Sequence, residues 1–174
     1  MTNMTSTNAT YTPYVDLIDK NTFVMSPNNY PNPFVGKQWY DGGSTWVDWF
    51  NPNATSYWVK QLNEYNNKLD FDGIWIDQNE ASNKCNGECG YVPVLNTTSF
   101  TPGGKNLNEN AIDLAASHFN ASYPFDPYSV ILEYDAHSLF GHMEGMATNQ
   151  FFTSKSQRPF ILSRSTFATS GRYM

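Results

Sequence analysis

The sequence lacks several features that would assign it to other classes of protein. It contains no apolar run approaching the roughly 18 residues that a membrane span needs. Residues 1–12 lack the basic start and apolar middle of a signal peptide. Basic residues are few, 10 against 16 acidic ones, and they are scattered along a chain of net charge −6. We therefore expect no membrane span, and no nucleic acid among its partners, because that binding requires clustered Lys and Arg.

Cysteine is almost as scarce, with only Cys85 and Cys89 in the segment "CNGEC". They could form a small local disulfide in an oxidising compartment or remain two thiols. Two cysteines without a nearby histidine are too few for a zinc site. We expect no metal and no cofactor. Five Asn-x-Ser/Thr sequons give a weak indication of the secretory route, and they begin at Asn3, Asn8, Asn53, Asn96 and Asn120.

Aromatic residues are abundant, at 16% of the chain. Between residues 28 and 58 they alternate with Asn, Asp and Gly. Sugar-binding sites use this mixture, because sugar rings stack on aromatic rings while amides and carboxylates bond the hydroxyl groups. A core rich in Trp and Tyr would give the same composition, and composition does not separate the two.

The 174 residues suffice for one domain, and they contain no internal repeat. Residues 13–25 are interpreted as a pair of short strands, and residues 26–53 as a long loop of the kind that is usually functional. Apolar residues at helical spacing predict a helix over residues 54–69 with Asn53 as its N-cap. The next segment, "DGIWID", is typical of a buried parallel strand that ends at Asp77.

The second half of the chain has the same order of predicted elements, a long loop, a helix and a strand. Residues 78–130 are predicted to form another long loop. Residues 135–154 are predicted to form a helix with an apolar face of Leu139, Met143, Met146 and Phe151, interrupted by Gly141 and Gly145. Residues 159–163 then form an apolar strand that ends at Ser163 and Arg164. Alternating helices and strands predict a parallel α/β fold, in which Asp77 and Arg164 would face one crevice at the carboxyl ends of the strands.

Asp77 has three interpretations from its position alone. It could be an ionised carboxylate that attacks an anomeric carbon or stabilises an oxocarbenium-like transition state. It could instead accept hydrogen bonds from loop amides, a common structural role. A metal site with Asp72 and Glu80 is less favoured, because alternate strand residues point to opposite faces and Asp72 would face away.

Four segments in the same order resemble glycoside hydrolase family 31, the α-glucosidases of the lysosomal and intestinal maltase type. "GIWIDQNEAS" is similar to the nucleophile signature of that family, with Gln78 where the family usually has Met. "PFILSRSTFATSGRYM" resembles the segment around the fifth barrel strand, and "HSLFGHMEGMATN" the helix before it. "FVGKQWYDGG" followed by "WFNP" is similar to the stretch usually written Trp-Pro-Gly, with Tyr40 in place of Pro and Asp41 as an addition.

The resemblance implies a (β/α)8 barrel and a retaining hydrolase of terminal α-linked glucosides, lysosomal or secreted. Asp77 would be the nucleophile, and Trp39, Trp75 and Arg164 would contact the oligosaccharide or α-glucoside substrate. Asn79 and Glu80 would support the site rather than react. Core packing remains an alternative for Trp75, and a purely structural salt bridge remains one for Arg164.

The resemblance also implies that residues 1–174 are an internal part of the barrel domain. The acid of the family lies in a His-Trp-x-Gly-Asp motif downstream of "SRSTF", past Met174, and Glu133, Asp135 and Glu144 do not match that motif. We therefore expect these residues alone to be inactive. A non-catalytic carbohydrate-binding or regulatory remnant of the same fold is the alternative function, and a metal-dependent enzyme using Asp77 and Glu80 is a third.

Overall fold

The computed structural model describes residues 11–38, 42–92, 111–122 and 129–174. The first element is helix α1, Thr12–Asp19, so the strand pair predicted for residues 13–25 is wrong. Pro13 occupies the first turn of α1, where its fixed φ and missing N–H are tolerated. Leu17 packs with Phe23 and Tyr57, so a helical stripe rather than a strand face is buried. Phe23 and Met25 make only isolated β-bridges.

A helix and a strand follow the loop, as predicted. Helix α2 spans Ala54–Asn66, with Asn53 at the N-cap position, and ends three residues before the predicted boundary at residue 69. Strand β1 is Ile74–Ile76, directly before Asp77. The connection between α2 and β1 passes through Gly73, where an added Cβ would lie 2.5 Å from a ring carbon of Phe160.

Residues 78–130 are predicted to form a loop, but one strand of a small antiparallel pair lies within this range. Strand β2, Ser117–His118, pairs with strand β3, Ile131–Leu132. Met25 bridges to Ser117, which links this pair to the first loop. Cys85 and Cys89 form a disulfide.

The predicted helix over residues 135–154 begins earlier and is divided. Helix α3, Glu133–Ala136, continues through a 3₁₀ turn at His137–Leu139 into helix α4, Phe140–Ser154. Gly141 and Gly145 do not interrupt α4, and both are buried. The predicted apolar face is wrong at Met146, which is 40% exposed.

Strand β4, Ile161–Ser163, pairs with β1 in parallel, with Ile74, Trp75 and Ile76 opposite Ile161, Leu162 and Ser163. Helices α2 and α4 cover one face of this pair, where Leu62, Ile76, Phe151, Phe152 and Ile161 form a core cluster. The chain is therefore α/β, with a parallel pair. Among the described residues the strands form two two-stranded sheets and no closed barrel.

The aromatic excess serves the core as well as the surface. Trp46 and Trp49 are buried, and Trp58 packs against the same cluster, whereas Trp75 is 62% exposed. The opposite face of the parallel pair also exposes Phe160 and Leu162. None of the described helices has the length and apolar character that crossing a membrane requires.

Candidate active site at the ends of the parallel strands

The register of β1 and β4 brings the two predicted site residues together. Ile76 lies opposite Ser163, so Asp77 and Arg164 are the next residues along each strand. Arg164 Nε lies 3.6 Å from Asp77 Oδ1, and the Asp77 side chain is 34% exposed. Both side chains therefore lie at the carboxyl end of the parallel pair, where α/β proteins place their ligands.

Trp75 lies on the same strand face as Asp77, because side chains two residues apart point to the same side. Its exposure excludes core packing within the described structure, since 62% of the residue is accessible. The paired residue on β4 is Leu162, which is 55% exposed. Trp75 and Leu162 therefore form an exposed apolar surface on the same strand face as the Asp77 carboxylate.

Arg164 forms its shortest ion pair with Glu80 rather than with Asp77. Nε of Arg164 donates to Oε1 at 3.1 Å, and Nη2 donates to Oε2 at 2.6 Å. This two-point geometry suits a guanidinium and fixes its orientation. The hydrogen bonds from Arg164 lower the pKa of Glu80, so Glu80 is ionised at neutral pH. Glu80 thus holds the cation that lies beside Asp77.

Asn79 connects the two loops that follow the strands. It is almost fully buried, and its Nδ2 donates to Ser163 Oγ at 2.8 Å. Its Oδ1 accepts from the Ser165 amide at 2.8 Å, and Ser163 Oγ donates to the Ser165 carbonyl at 2.7 Å. Helix α4 approaches closely here, because a Cβ on Gly141 would lie 2.7 Å from Ser165. The Asn79 amide therefore binds the residues on both sides of Arg164, through the side chain of Ser163 and the backbone of Ser165.

The residue between Asp77 and Asn79 adopts an unusual backbone. Gln78 has φ +52°, in the left-handed region that side chains other than Gly rarely adopt. Strained backbone of this kind occurs often at functional sites. It turns the chain sharply after β1, so that Asp77 faces solvent while Asn79 is buried.

A second charge cluster lies in the core, and the sequence interpretation missed it. The His118 ring is 1% exposed, with Nδ1 at 2.9 Å from Asp48 Oδ1 and Nε2 at 2.7 Å from Glu133 Oε2. Glu133 Oε1 also lies 2.6 Å from Nδ1 of His137. No motif in the sequence indicated this cluster, because its members are far apart along the chain.

The buried cluster holds a charged imidazole. Burial disfavours the cation, but the hydrogen bonds that its ring N–H groups donate to Asp48 and Glu133 more than offset this cost and raise the pKa of His118 to about 9. Burial likewise opposes ionisation of Glu133, but its bonds to His118 and His137 hold its pKa below the usual value. At neutral pH this buried site is therefore an imidazolium between two carboxylates.

Near the candidate site, one carboxyl group has a raised pKa, in contrast to Glu80. Burial raises the pKa of Glu144 on helix α4 to about 7, and the negative charge of Glu80 adds to this effect.

Across residues 11–38, 42–92, 111–122 and 129–174, no three His, Cys, Asp or Glu side chains are grouped to hold a metal ion. Trp39, the remaining predicted substrate contact, lies outside the described residues.

Comparison with known proteins identifies the family. A profile described as "Glycosyl hydrolases family 31 TIM-barrel domain" matches residues 2–174. The chain therefore belongs to glycoside hydrolase family 31, an α/β family, and the resemblance of its motifs is confirmed.

Three relatives illustrate the range of the family. An alpha-glucosidase of Mucor javanicus is 31% identical over 96% of this chain and 23% of that protein. A lysosomal alpha-glucosidase of Bos taurus is 31% identical over 94% of the chain and 17% of that protein. Alpha-xylosidase 1 of Arabidopsis thaliana is 33% identical over 81% and 18%. The chain thus spans roughly a fifth of the length of these relatives.

Proposed function

We propose that Asp77 is the nucleophile of a retaining glycoside hydrolase that acts on terminal α-linked glucosides. The observation that carries this proposal is the parallel register, which aligns Asp77 with Arg164 one step beyond Ile76 and Ser163. In the proposed reaction, the Asp77 carboxylate attacks the anomeric carbon, and water then hydrolyses the glycosyl-enzyme ester. Residues 1–174 would form part of a (β/α)8 barrel, in which the strands Ile74–Ile76 and Ile161–Ser163 are neighbours.

Arg164 has two tasks in this proposal. Its guanidinium places a positive charge 3.6 Å from Asp77, and it offers N–H groups to substrate hydroxyls on the exposed side. Glu80 binds two of its nitrogens, so the cation is held without occupying the Asp77 carboxylate. Asn79 keeps the loops of both residues in place through Ser163 and Ser165.

A second residue supplies the acid in this proposal. A retaining mechanism needs a protonated carboxyl group about 5 to 5.5 Å from the nucleophile. Glu80 is unsuited, because Arg164 lowers its pKa and keeps it ionised. We place the acid in the His-Trp-x-Gly-Asp motif that the family carries downstream, and we expect residues 1–174 alone to give no turnover.

The proposed substrate class is an α-linked pyranoside. Two of the three relatives above are named alpha-glucosidases and one an alpha-xylosidase, so an α-linked pyranoside fits them all. Trp75 would pack on the sugar in the pocket, and Trp39 would make a further contact. Gln78 makes the wall beside the nucleophile polar. The disulfide Cys85–Cys89 supports a lysosomal or secreted location, since such bonds persist in oxidising compartments.

The alternative is a non-catalytic carbohydrate-binding or regulatory remnant of the same fold. The exposure of Trp75 favours it, because an accessible indole can stack on a sugar without any acid. This alternative predicts that maltose quenches tryptophan fluorescence of the 174-residue chain and that Trp75→Ala abolishes the quenching. The hydrolase proposal requires turnover by the full-length gene product.

Covalent trapping tests the proposal directly. The full-length protein is treated with a fluorinated α-glucosyl fluoride, which accumulates the glycosyl-enzyme, and the tryptic peptide of residues 69–84 is examined by mass spectrometry. We expect the added sugar on Asp77, and a fall in kcat of roughly 10³-fold or more in Asp77→Asn, because removing a nucleophile has effects of that size.

Asp72→Asn is the matched control, since Asp72 is an exposed carboxylate in the same peptide. It should keep both labelling and activity. Labelling of a different carboxylate, or full activity in Asp77→Asn, would refute the assignment of the nucleophile.

A further inference from the structure

Two of the five sequons lie in the described residues, and they differ in their surroundings. Asn53-Ala54-Thr55 lies at the start of α2, where both Asn53 and Thr55 are exposed. Asn120-Ala121-Ser122 lies after β2, where Asn120 is only partly exposed. An N-linked glycan needs a side-chain amide that can carry a bulky group into solvent.

The side chain of Asn53 is available for such a group in the folded protein. Asn53 holds the N-cap position of α2, but its Nδ2 donates to the Lys20 carbonyl in a long, exposed contact of 3.4 Å. A glycosylated amide keeps one N–H, so this contact can survive the modification. The backbone of Asn53 is fixed independently, because its carbonyl accepts from the Tyr57 amide at 2.9 Å and its own amide donates to Asn51 Oδ1 at 2.9 Å.

Asn120 is held more tightly. Its Oδ1 accepts from the Ser122 amide at 3.0 Å, which closes a turn across the sequon itself. Its Nδ2 donates to Ser129 Oγ at 3.3 Å across the loop, in a partly buried contact. A glycan on this nitrogen would have to pass the Ser129 side of the loop.

A separate observation concerns the compartment. Cys85 and Cys89 are joined in a disulfide, and disulfides are rare outside oxidising compartments. Asn-linked glycans are added in the same secretory route, before folding is complete. In the folded chain Thr55 is already part of α2, so the sequon would be read before the helix forms and the folded protein needs only to tolerate the product.

We propose that Asn53 is an N-glycosylation site of this protein. Nδ2 of Asn53 attacks the anomeric carbon of a lipid-linked diphosphate oligosaccharide. The carbon–oxygen bond to the diphosphate breaks, the carbon–nitrogen bond forms, and Nδ2 loses one proton. The site is independent of the proposed hydrolase activity, since none of the residues near Asp77 takes part.

Site-specific mass spectrometry tests this proposal. The full-length protein is expressed in a glycosylating eukaryotic cell and recovered from both cells and medium. Peptide N-glycosidase in ¹⁸O water then marks each formerly glycosylated Asn as labelled Asp. Trypsin separates the sequons, because the peptide of residues 38–60 contains only that of Asn53 and the peptide of residues 106–155 only that of Asn120.

We expect most copies of the 38–60 peptide to carry the label, and a smaller share of the 106–155 peptide. Thr55→Ala should remove the label from Asn53, and Thr55→Ser should retain it, while both variants keep the same melting temperature within a few degrees. An unlabelled 38–60 peptide would overturn the proposal, whether or not other sequons are labelled. Label that persists at Asn53 in Thr55→Ala would overturn it as well, since the sequon would then play no part.

Discussion

The two charge clusters of this chain use similar groups in opposite environments. Asp77, Glu80 and Arg164 lie at the ends of the parallel strands, where each side chain is about one third to one half exposed. Asp48, His118 and Glu133 are at most 1% exposed. Exposed ion pairs contribute about 0 to 1 kcal/mol to stability, whereas breaking a buried pair costs about 3 to 5 kcal/mol. We therefore expect the exposed cluster to contribute little to stability, and breaking the buried cluster to cost considerably more.

The buried cluster also connects segments that are distant in sequence. Asp48 precedes α2, and its second oxygen accepts from the Phe119 amide at 2.7 Å. His118 belongs to β2 and Glu133 begins α3. One imidazolium thus joins the first loop, the small antiparallel pair and the helices before β4. The exposed cluster joins only the loops after β1 and β4.

His118→Gln gives the largest expected effect. It leaves two buried carboxylates without their cation, so we expect a loss of about 3 to 5 kcal/mol in the free energy of unfolding, measured in urea. His142→Gln is the matched control, because His142 is only partly buried and bonds Ser170 Oγ at 2.8 Å. Equal losses in the two variants would show that the buried cluster contributes no more to the free energy of unfolding than a partly buried histidine does.

Glu144→Gln should have an effect that depends on pH. The folded pKa of about 7 lies above the ordinary 4.5, so the folded state binds this proton more tightly than the unfolded state does. The resulting stabilisation is complete below pH 4.5 and is lost as the pH rises through 7. The difference in free energy of unfolding between the variant and the wild-type protein should therefore shift in favour of the variant between pH 4 and pH values above 7. The shift should be at most roughly 3 kcal/mol.

Urea unfolding at pH 4 and pH 8 measures this shift. Glu64→Gln serves as the control, because Glu64 is an exposed carboxylate on α2 that lies 3.6 Å from Lys60. It should show no comparable change between the two pH values. A difference for Glu144→Gln that does not grow with pH would contradict the assigned burial.

Asn79→Ala should cost about 1 to 3 kcal/mol, because it removes the buried Asn79 side chain and leaves the partly buried Ser165 amide without its acceptor. Asn63→Ala on α2 should cost less, since Asn63 bonds only a carbonyl of its own helix, that of Val59. Hydrogen exchange of the Ser165 amide offers a local reading and should accelerate only in Asn79→Ala. Unchanged exchange there would remove Asn79 as the link between the two site loops.

Glu80→Gln gives the smallest change in stability, less than about 1 kcal/mol, because its ion pair with Arg164 is largely exposed. Its functional effect should be larger in proportion. Loss of the partner frees Arg164, so in the full-length enzyme we expect KM and kcat to change while the melting temperature does not. Glu64→Gln is again the control, and a fall in stability without any change in kinetics would assign Glu80 a structural role instead.

Local sequence predicted the elements that depend on local pattern. Helix α2 and the strands ending at Asp77 and Ser163 were predicted nearly in place, because apolar spacing and strand length are local properties. Helix α1 lies where the pattern predicts strands, because a short apolar segment is compatible with either structure, and Pro13 in the first turn marks a helix start. The apolar face of α4 was misjudged at Met146, because which side of a helix is buried depends on its neighbours.

The candidate site shows the same division. Sequence placed Asp77, Asn79, Glu80 and Arg164 at strand ends, and it left a substrate contact and a structural salt bridge open for Arg164. The structure gives Arg164 a two-point bond to Glu80, a choice between carboxylates that depends on distances of a few ångströms. Gln78 in a left-handed conformation and the buried His118 cluster had no pattern that could reveal them.

The sequence by itself determined the α/β class, the family motifs and the residues that follow each parallel strand, because these depend on order and spacing along the chain. Only the tertiary structure decided which charges are paired, which tryptophans are buried and which asparagine is open to solvent. Pairing and burial depend on contacts between residues far apart along the chain, such as Asn79 and Ser165 at a separation of 86 positions, and linear order does not specify them.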